Sequence, residues 1–223
     1  MSNRFVSRAV GAAIVAVLLA LTASTASAQC AGFSSDLTVA NTGLSSFPAP
    51  TGSYGTVCVT LNGTGTQATI SYTAAAGFGF IDGGSVDANV SGTFTAGSVS
   101  GNSPNNSYTL TANGGCPPPV DGIGCYNATV DSPTSSPGDT STFITFTLNG
   151  NWADFNSVLT ANNLGYDAGA HITVNGSDCG GSPCTGFAAE TAGTSTVPEP
   201  TSIALLGGVL LFATNRLRKR FVS

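Results

Sequence analysis

The body of this chain lacks positively charged side chains. All six Lys and Arg residues lie outside segment 29–196, whereas ten of the eleven Asp and Glu residues lie inside it, so the segment has a net charge of about −10. A protein that binds nucleic acid or anionic lipid needs clustered cations to displace counterions. The composition therefore excludes a nucleic-acid partner. It also removes Lys and Arg from any catalytic or phosphate-binding role.

Histidine is equally scarce, and this scarcity limits the enzyme classes open to the chain. Serine and cysteine nucleophiles usually need a neighbouring histidine base. The only histidine, His171, alternates with Ile172 and Val174 in a strand-like pattern, so we expect it to face solvent. No Gly-x-Ser-x-Gly motif occurs between a predicted strand and a predicted helix. The sequence therefore offers no activated nucleophile.

Paired carboxylates are the one catalytic arrangement that the composition leaves open, since a glycosidase can work with two acids alone. The nearest pairs by position are Asp82 with Asp87 and Asp121 with Asp131. We interpret all four as turn residues and predict that the protein is not an enzyme. The stretch 82–89 also offers oxygen ligands for a structural calcium ion, although a twelve-residue EF-hand loop is absent. No other metal and no cofactor is predicted.

The first 28 residues have the three parts of a secretory signal peptide. Arg4 and Arg8 form the positive region, residues 9–21 form the apolar region, and residues 26–28 (Ala-Ser-Ala) form a small-residue cleavage site. We expect cleavage after residue 28 and export by the Sec route.

The six cysteines of an exported chain are expected to form disulfides. They are Cys30, Cys58, Cys116, Cys125, Cys179 and Cys184. Fifteen pairings are formally possible, and the short spacings favour two of them. One joins Cys116 to Cys125. The other joins Cys179 to Cys184. Cys30 with Cys58 then follows by elimination. Zinc is disfavoured because neither short pair has the two-residue spacing of a zinc knuckle.

Alternation of apolar and polar residues predicts an all-β fold for segment 29–196. The longest alternating run covers 86–96, either as one half-buried strand or as two strands joined by a bend at Gly92. Further predicted strands are 37–40, 57–61, 66–73, 77–81, 107–112, 126–130, 142–148 and 172–174. About nine short strands between turn residues are typical of a β-sandwich or a jelly-roll-like domain.

Turn and cap residues add detail to this prediction. The Asn-Gly pair at 62–63 predicts a hairpin, and the pairs at 113–114 and 175–176 predict further turns or chain exits. One short helix is predicted to begin at the N-cap Asp154 and to end at Gly165. Its apolar face would hold Phe155, Val158 and Leu159.

Aromatic and asparagine residues provide two further candidate binding features. An aromatic platform for sugar rings would be built from Trp152, Tyr54, Tyr108, Tyr126 and Tyr166, but we favour core packing for these side chains. Five Asn-x-Ser/Thr sequons begin at Asn62, Asn89, Asn105, Asn127 and Asn175. In a chain rich in Gly, Ser, Thr and Asn, we interpret them as chance occurrences.

The C-terminal 27 residues contain three signals in a fixed order. A short motif comes first, with prolines on both sides of a glutamate: Val197, Pro198, Glu199 and Pro200. An apolar run over 203–212 follows, shorter than the roughly 20 residues that cross a bilayer core unaided. A basic cluster ends the chain: Arg216, Arg218, Lys219 and Arg220. Prolines bar helix entry before the run, and the cations would stop the chain on the cytoplasmic side.

This tripartite end closely resembles the PEP-CTERM sorting signal of Gram-negative bacteria. The resemblance covers residues 197 to about 220 and implies cleavage by a membrane-embedded exosortase, with a single transmembrane helix as a transient inner-membrane anchor. The expected destination is the cell surface or the extracellular matrix. We expect a signal peptide (1–28), an exported β domain (29–196) and a sorting signal (197–223). The expected role is structural and associated with exopolysaccharide. The alternatives are a carbohydrate- or calcium-dependent binding module and a secreted glycoside hydrolase.

Overall fold

A computed structural model describes most of the predicted exported domain. The described residues are 30–41, 43–47, 49, 52–81, 85–103, 107–114, 122–131, 140–178 and 183–190. The predicted signal peptide and the predicted sorting signal lie outside them. In the described part of the chain, no helix has the length and apolarity needed to cross a membrane.

The fold is all-β, as the alternation predicted, and all eleven strands belong to a compact unit that begins at Gly32. The strands, in chain order, are β1 (Phe33–Ala40), β2 (Gly55–Leu61), β3 (Gln67–Ala74), β4 (Phe78–Phe80), β5 (Val86–Ala88), β6 (Thr95–Gly101), β7 (Thr109–Ala112), β8 (Ala128–Asp131), β9 (Phe143–Asn149), β10 (Ala168–Asp178) and β11 (Pro183–Glu190). No α-helix occurs among the described residues. β11 was not predicted as a strand, since its small residues Gly186, Ala188 and Ala189 give a weak alternation.

The strands form one antiparallel sheet that nearly closes on itself. Their order is β6-β9-β3-β2-β1-β11-β10-β5-β8-β7, and β4 pairs with β10 beside this path. β1 connects the two halves, because its first residues pair with β2 and its last residues pair with β11. At the open seam, the Ser103 amide donates to the Tyr108 hydroxyl over 3.0 Å, and the Asn113 side chain donates to the Phe94 carbonyl.

The two halves of the sheet enclose a single main core. Tyr72 of β3 lies at its centre, fully buried, with its ring centroid 6.3 Å from that of Phe146 on β9 and 6.2 Å from that of Phe80 on β4. Its hydroxyl donates to the Asp87 main-chain oxygen on β5 over 2.5 Å. Tyr72 therefore links one half of the sheet to the other through both ring contacts and a hydrogen bond.

The predicted run over 86–96 is two strands separated by a bend. β5 ends at Ala88, Gly92 has a φ of +74°, and β6 begins at Thr95. The prediction that Asp87 lies on a polar face of this run, open to solvent, was wrong. Asp87 is fully buried. β8 and β10 pair along the two edges of β5, and all three residues of β5 are buried, so neither face of the strand is open to water.

The predicted helix after Asp154 was wrong in extent. Asp154 does cap a turn, accepting from the amides of Asn156 and Ser157, but only the 3-10 turn Phe155–Ser157 forms. Leu159 then pairs with Val90 in an isolated bridge. Thr, Asn and Asn at 160, 162 and 163 are poor helix formers, so the chain gains more by pairing than by extending the turn.

The Asn-Gly predictions had mixed outcomes. The hairpin between β2 and β3 is confirmed, with the Asn62 carboxamide oxygen accepting from the Thr66 amide over 2.9 Å. Its positive φ lies at Gly65 and not at the predicted pair. The turn at 113–114 is supported by a φ of +54° at Asn113. The turn at 175–176 was wrong, because both residues lie inside β10.

Candidate functional site

A fully buried glutamate terminates the last described strand. Glu190 pairs with Leu37 of β1 and follows Ala189, which pairs with Gly169 of β10. Alternation along β11 places its side chain on the same face as Ala188, which belongs to the main core. Neither carboxyl oxygen of Glu190 has a hydrogen-bond partner of ordinary geometry within the described part of the chain.

The surroundings of Glu190 favour its protonated form. Burial raises the pKa of Glu190 to about 7, with the Ser35 hydroxyl opposing this shift and the nearby Asp167 carboxyl adding to it. Ser35 lies on β1, is almost fully buried, and points to the same interior as Leu37. A carboxylate in such a place needs either a proton or a cation, because an isolated buried charge is strongly disfavoured.

Asp167 is the second carboxyl group of this site. It immediately precedes β10, and its main-chain oxygen accepts from the Asn89 amide over 2.8 Å. Its side chain is about half buried, and its Oδ1 atom is buried without a partner among the described residues. Burial raises the pKa of Asp167, while interaction with Glu190 lowers it. We call Asp167 and Glu190 the carboxyl pair.

A third buried acid, Asp87, lies in the middle of β5. Its Oδ1 accepts from the Thr129 hydroxyl over 2.8 Å, and its Oδ2 has no partner in the described segments. Burial raises the pKa of Asp87 well above its usual value, the Thr129 hydrogen bond lowers it, and the charge of Asp131 raises it. The interpretation of Asp87 and Asp131 as turn residues was wrong, since both belong to strands. Asp82 and Asp121, their predicted partners, lie outside the described residues.

A small second core covers the outer face of the sheet beside Asp87. It is formed by Ile123, Tyr126 and Ala189. The Tyr126 ring packs directly on Gly169, where a Cβ atom would lie only 2.7 Å from the tyrosine hydroxyl oxygen. Burial raises the pKa of Tyr126, and the charges of Asp87 and Glu190 contribute. The Tyr126 hydroxyl oxygen is buried and has no partner among the described residues.

Core packing is confirmed for three of the five candidate sugar-stacking aromatics. Trp152, Tyr54 and Tyr126 are buried, and the Trp152 indole donates to the Ser91 main-chain oxygen over 3.1 Å. Tyr108 and Tyr166 are half-buried, so the alternative, a flat platform of five rings, does not form.

The expectation that His171 faces solvent holds only in part. The imidazole is half-buried and stacks on Phe187 with ring centroids 4.3 Å apart. Thr173, placed on the same wet face by alternation, is buried as well. His171 pairs directly with Phe187 of β11, so the phenyl ring lies on the same face of the sheet and partly covers the imidazole.

The side-chain nitrogens of four sequon asparagines have structural hydrogen bonds. Asn62 donates to the Thr66 hydroxyl. The other three donate to main-chain oxygens: Asn89 to that of Thr160, Asn127 to that of Val90, and Asn175 to that of Phe78. Their interpretation as chance sequons stays a prediction, because each nitrogen carries a second hydrogen that these bonds do not use. Asn105 lies outside the described residues.

All four described cysteines are disulfide-bonded. They are Cys30, Cys58, Cys125 and Cys184. The pairing of Cys30 with Cys58, predicted by elimination, is confirmed. Cys116 and Cys179 lie outside the described residues, so their pairings with Cys125 and Cys184 stay predictions.

Where the structure describes side chains, no three His, Cys, Asp or Glu residues converge on one point. The calcium loop predicted at 82–89 lies partly outside these residues, and its described acid, Asp87, is enclosed in the sheet. No family model, curated protein or solved structure matches this chain significantly.

Sequence reasoning missed the carboxyl pair. The only signal for it was a glutamate at the end of an apolar run, Phe187-Ala188-Ala189-Glu190.

Proposed function

We propose that this chain is an exported protein of the cell surface or extracellular matrix that an exosortase processes at its C-terminal sorting signal. The observation that carries the proposal is the oxidised state of every described cysteine, in a body that two predicted export signals flank. Disulfides persist outside the cytoplasm and are rare within it. The route is Sec-dependent export, transient anchoring in the inner membrane, and release from it.

We also propose that the exported domain has a structural role in a polysaccharide matrix. A glycosidase acid must reach the glycosidic oxygen of its substrate, but Asp87 and Glu190 are fully buried. The exposed face of β6 presents Thr and Ser side chains and no cation, which suits hydrated, uncharged contacts with a glycan. The domain would be a folded, non-catalytic component that stabilises the matrix.

A carbohydrate-binding role is the second candidate, and one observation favours it. Tyr108 and Tyr166 retain partial exposure and could each stack on a sugar ring. Retention of the protein on the host polysaccharide, lost on replacing both tyrosines by alanine, would select this candidate over a purely structural role.

The sorting proposal predicts that Glu199→Ala abolishes release. The protease would no longer recognise the motif, so the apolar run and basic cluster would remain attached and hold the protein in the membrane. Immunoblots of membrane and medium fractions should show a longer, membrane-retained form. Ser202→Ala, which lies outside the motif, is the matched control and should be released normally. Equal release of both variants would contradict the proposal.

Export also predicts that the remaining cysteines are paired. Non-reducing peptide mapping of the exported protein should find Cys116 linked to Cys125 and Cys179 linked to Cys184, with no alkylation before reduction. Cys125 linked directly to Cys184 would overturn the pairing inferred from sequence spacing.

A further inference from the structure

We propose that the carboxyl pair, with the Ser35 hydroxyl, forms a calcium site that joins the ends of β1, β10 and β11. The site goes beyond the function proposed above and does not depend on it. It differs from the loop 82–89 that the sequence indicated, because its ligands come from three neighbouring strands.

The Glu190 side chain is 0% exposed, and both of its carboxyl oxygens lack a hydrogen-bond partner of ordinary geometry among the described residues. Buried polar atoms in folded proteins nearly always have a partner, and an exception usually marks an absent water or ion. A fully buried carboxylate whose polar neighbours include the Ser35 hydroxyl and the Asp167 carboxyl is a ready bidentate ligand for a cation.

Three neighbouring strands bring the proposed ligands together. Glu190 ends β11, Asp167 immediately precedes β10, and Ser35 lies on β1. The Ala189–Gly169 pairing brings the end of β11 beside the start of β10, and the Leu37–Glu190 pairing brings in β1. Glu190 interacts with both Ser35 and Asp167. Asp167, which interacts with Glu190, contributes a third buried oxygen, Oδ1, without a hydrogen-bond partner among the described residues.

No lysine or arginine of the exported body can neutralise the carboxyl pair, because segment 29–196 contains neither residue. Two carboxylates supply up to four oxygens and the serine supplies one, with water available to complete the shell. Calcium accepts six to eight oxygens in flexible geometry, whereas magnesium demands a nearly ideal octahedron. The three side chains therefore suit calcium better than magnesium.

The test is calcium titration of the exported protein after stripping with a chelator at pH 7.5. Isothermal titration calorimetry should detect one site, and a calcium concentration of 100 times Kd should raise the melting temperature by about 5 to 10 °C. Glu190→Gln should weaken calcium binding at least tenfold, and Asp167→Asn should weaken it as well. Asp36→Asn, which changes an exposed acid on β1, is the matched control and should bind calcium normally.

Terbium luminescence gives a second readout that does not depend on stability. Tyr72 and Tyr126 are the candidate sensitisers of a terbium ion in the site, because the charge of Glu190 contributes to the raised pKa of both. Tyrosine-sensitised emission should appear in the wild type, should be displaced by calcium, and should be lost in Asp167→Asn. If Glu190→Gln fails to fold, Asp167→Asn alone decides the matter. Absence of both heat and emission, equal affinity for magnesium, or unchanged binding by folded Asp167→Asn would overturn the proposal.

Discussion

The calcium-free protein should become more stable as the pH falls from 7.5 to 4.5. Burial raises the pKa values of Asp87, Asp167 and Glu190 in the folded state. The folded protein then binds more protons than the unfolded chain above about pH 4, so the free energy of unfolding decreases as the pH rises through this range. For Glu190 the window extends from its ordinary value of 4.5 to about 7.

The expected effect is large for a single domain. A shift of this size for Glu190 corresponds to about 3 kcal/mol, and the buried Asp87 adds to it in the same direction. The melting temperature in EDTA should therefore be about 6 to 12 °C higher at pH 4.5 than at pH 7.5. Most proteins lose stability on acidification because ion pairs are protonated, but this body has no Lys or Arg with which to form them.

Two variants connect the pH effect to the buried acids. Asp87→Asn and Glu190→Gln should each reduce the dependence of melting temperature on pH, whereas the exposed Asp36→Asn should leave it unchanged. Calorimetric melting curves at four or five pH values provide the measurement. A melting temperature that falls steadily on acidification, with the same slope in all four proteins, would contradict the prediction.

Tyr72→Ala should destabilise the domain by about 4 kcal/mol, close to the upper range for the loss of a large core side chain. The substitution removes a fully buried ring from between Phe80 and Phe146 and leaves the Asp87 carbonyl without its donor. The cavity cannot close easily, because the atoms around it belong to paired strands on opposite halves of the sheet. Urea denaturation followed by fluorescence or circular dichroism gives the free energy.

Tyr72→Phe separates the ring from the hydrogen bond. It should cost about 1 to 2 kcal/mol, the usual penalty for leaving one buried acceptor unsatisfied. Phe143→Ala is the matched control on β9, because Phe143 is 40% exposed and adjoins Ile144, which pairs with Tyr72. Its cost should stay below about 1 kcal/mol. Similar losses for Tyr72→Ala and Phe143→Ala would show that the core is not centred on Tyr72.

The outcome for individual elements shows where local sequence was sufficient. The strand predicted over 66–73 is β3, displaced by one residue, because an amphipathic strand with one buried face carries its own alternation. The Asn62 hairpin was also predictable, since its side chain and the following glycines form the turn locally. By contrast, Asp154 and the apolar residues after it predicted a helix, yet pairing of Leu159 with Val90, distant in sequence, ended the turn early.

The sequence by itself determined the lack of Lys and Arg in segment 29–196, the terminal signals from which export is proposed, and the all-β class. These features depend on composition and on short-range order, which need no tertiary contact. Only the tertiary structure decided that Asp87 and Glu190 are withdrawn from water and Asp167 partly so, because burial of an acid depends on which distant residues pack over it. β5 is enclosed by β8 and β10, and Glu190 meets Ser35 and Asp167 only where β1, β10 and β11 come together. Alternation along one strand cannot reveal that both of its faces are covered.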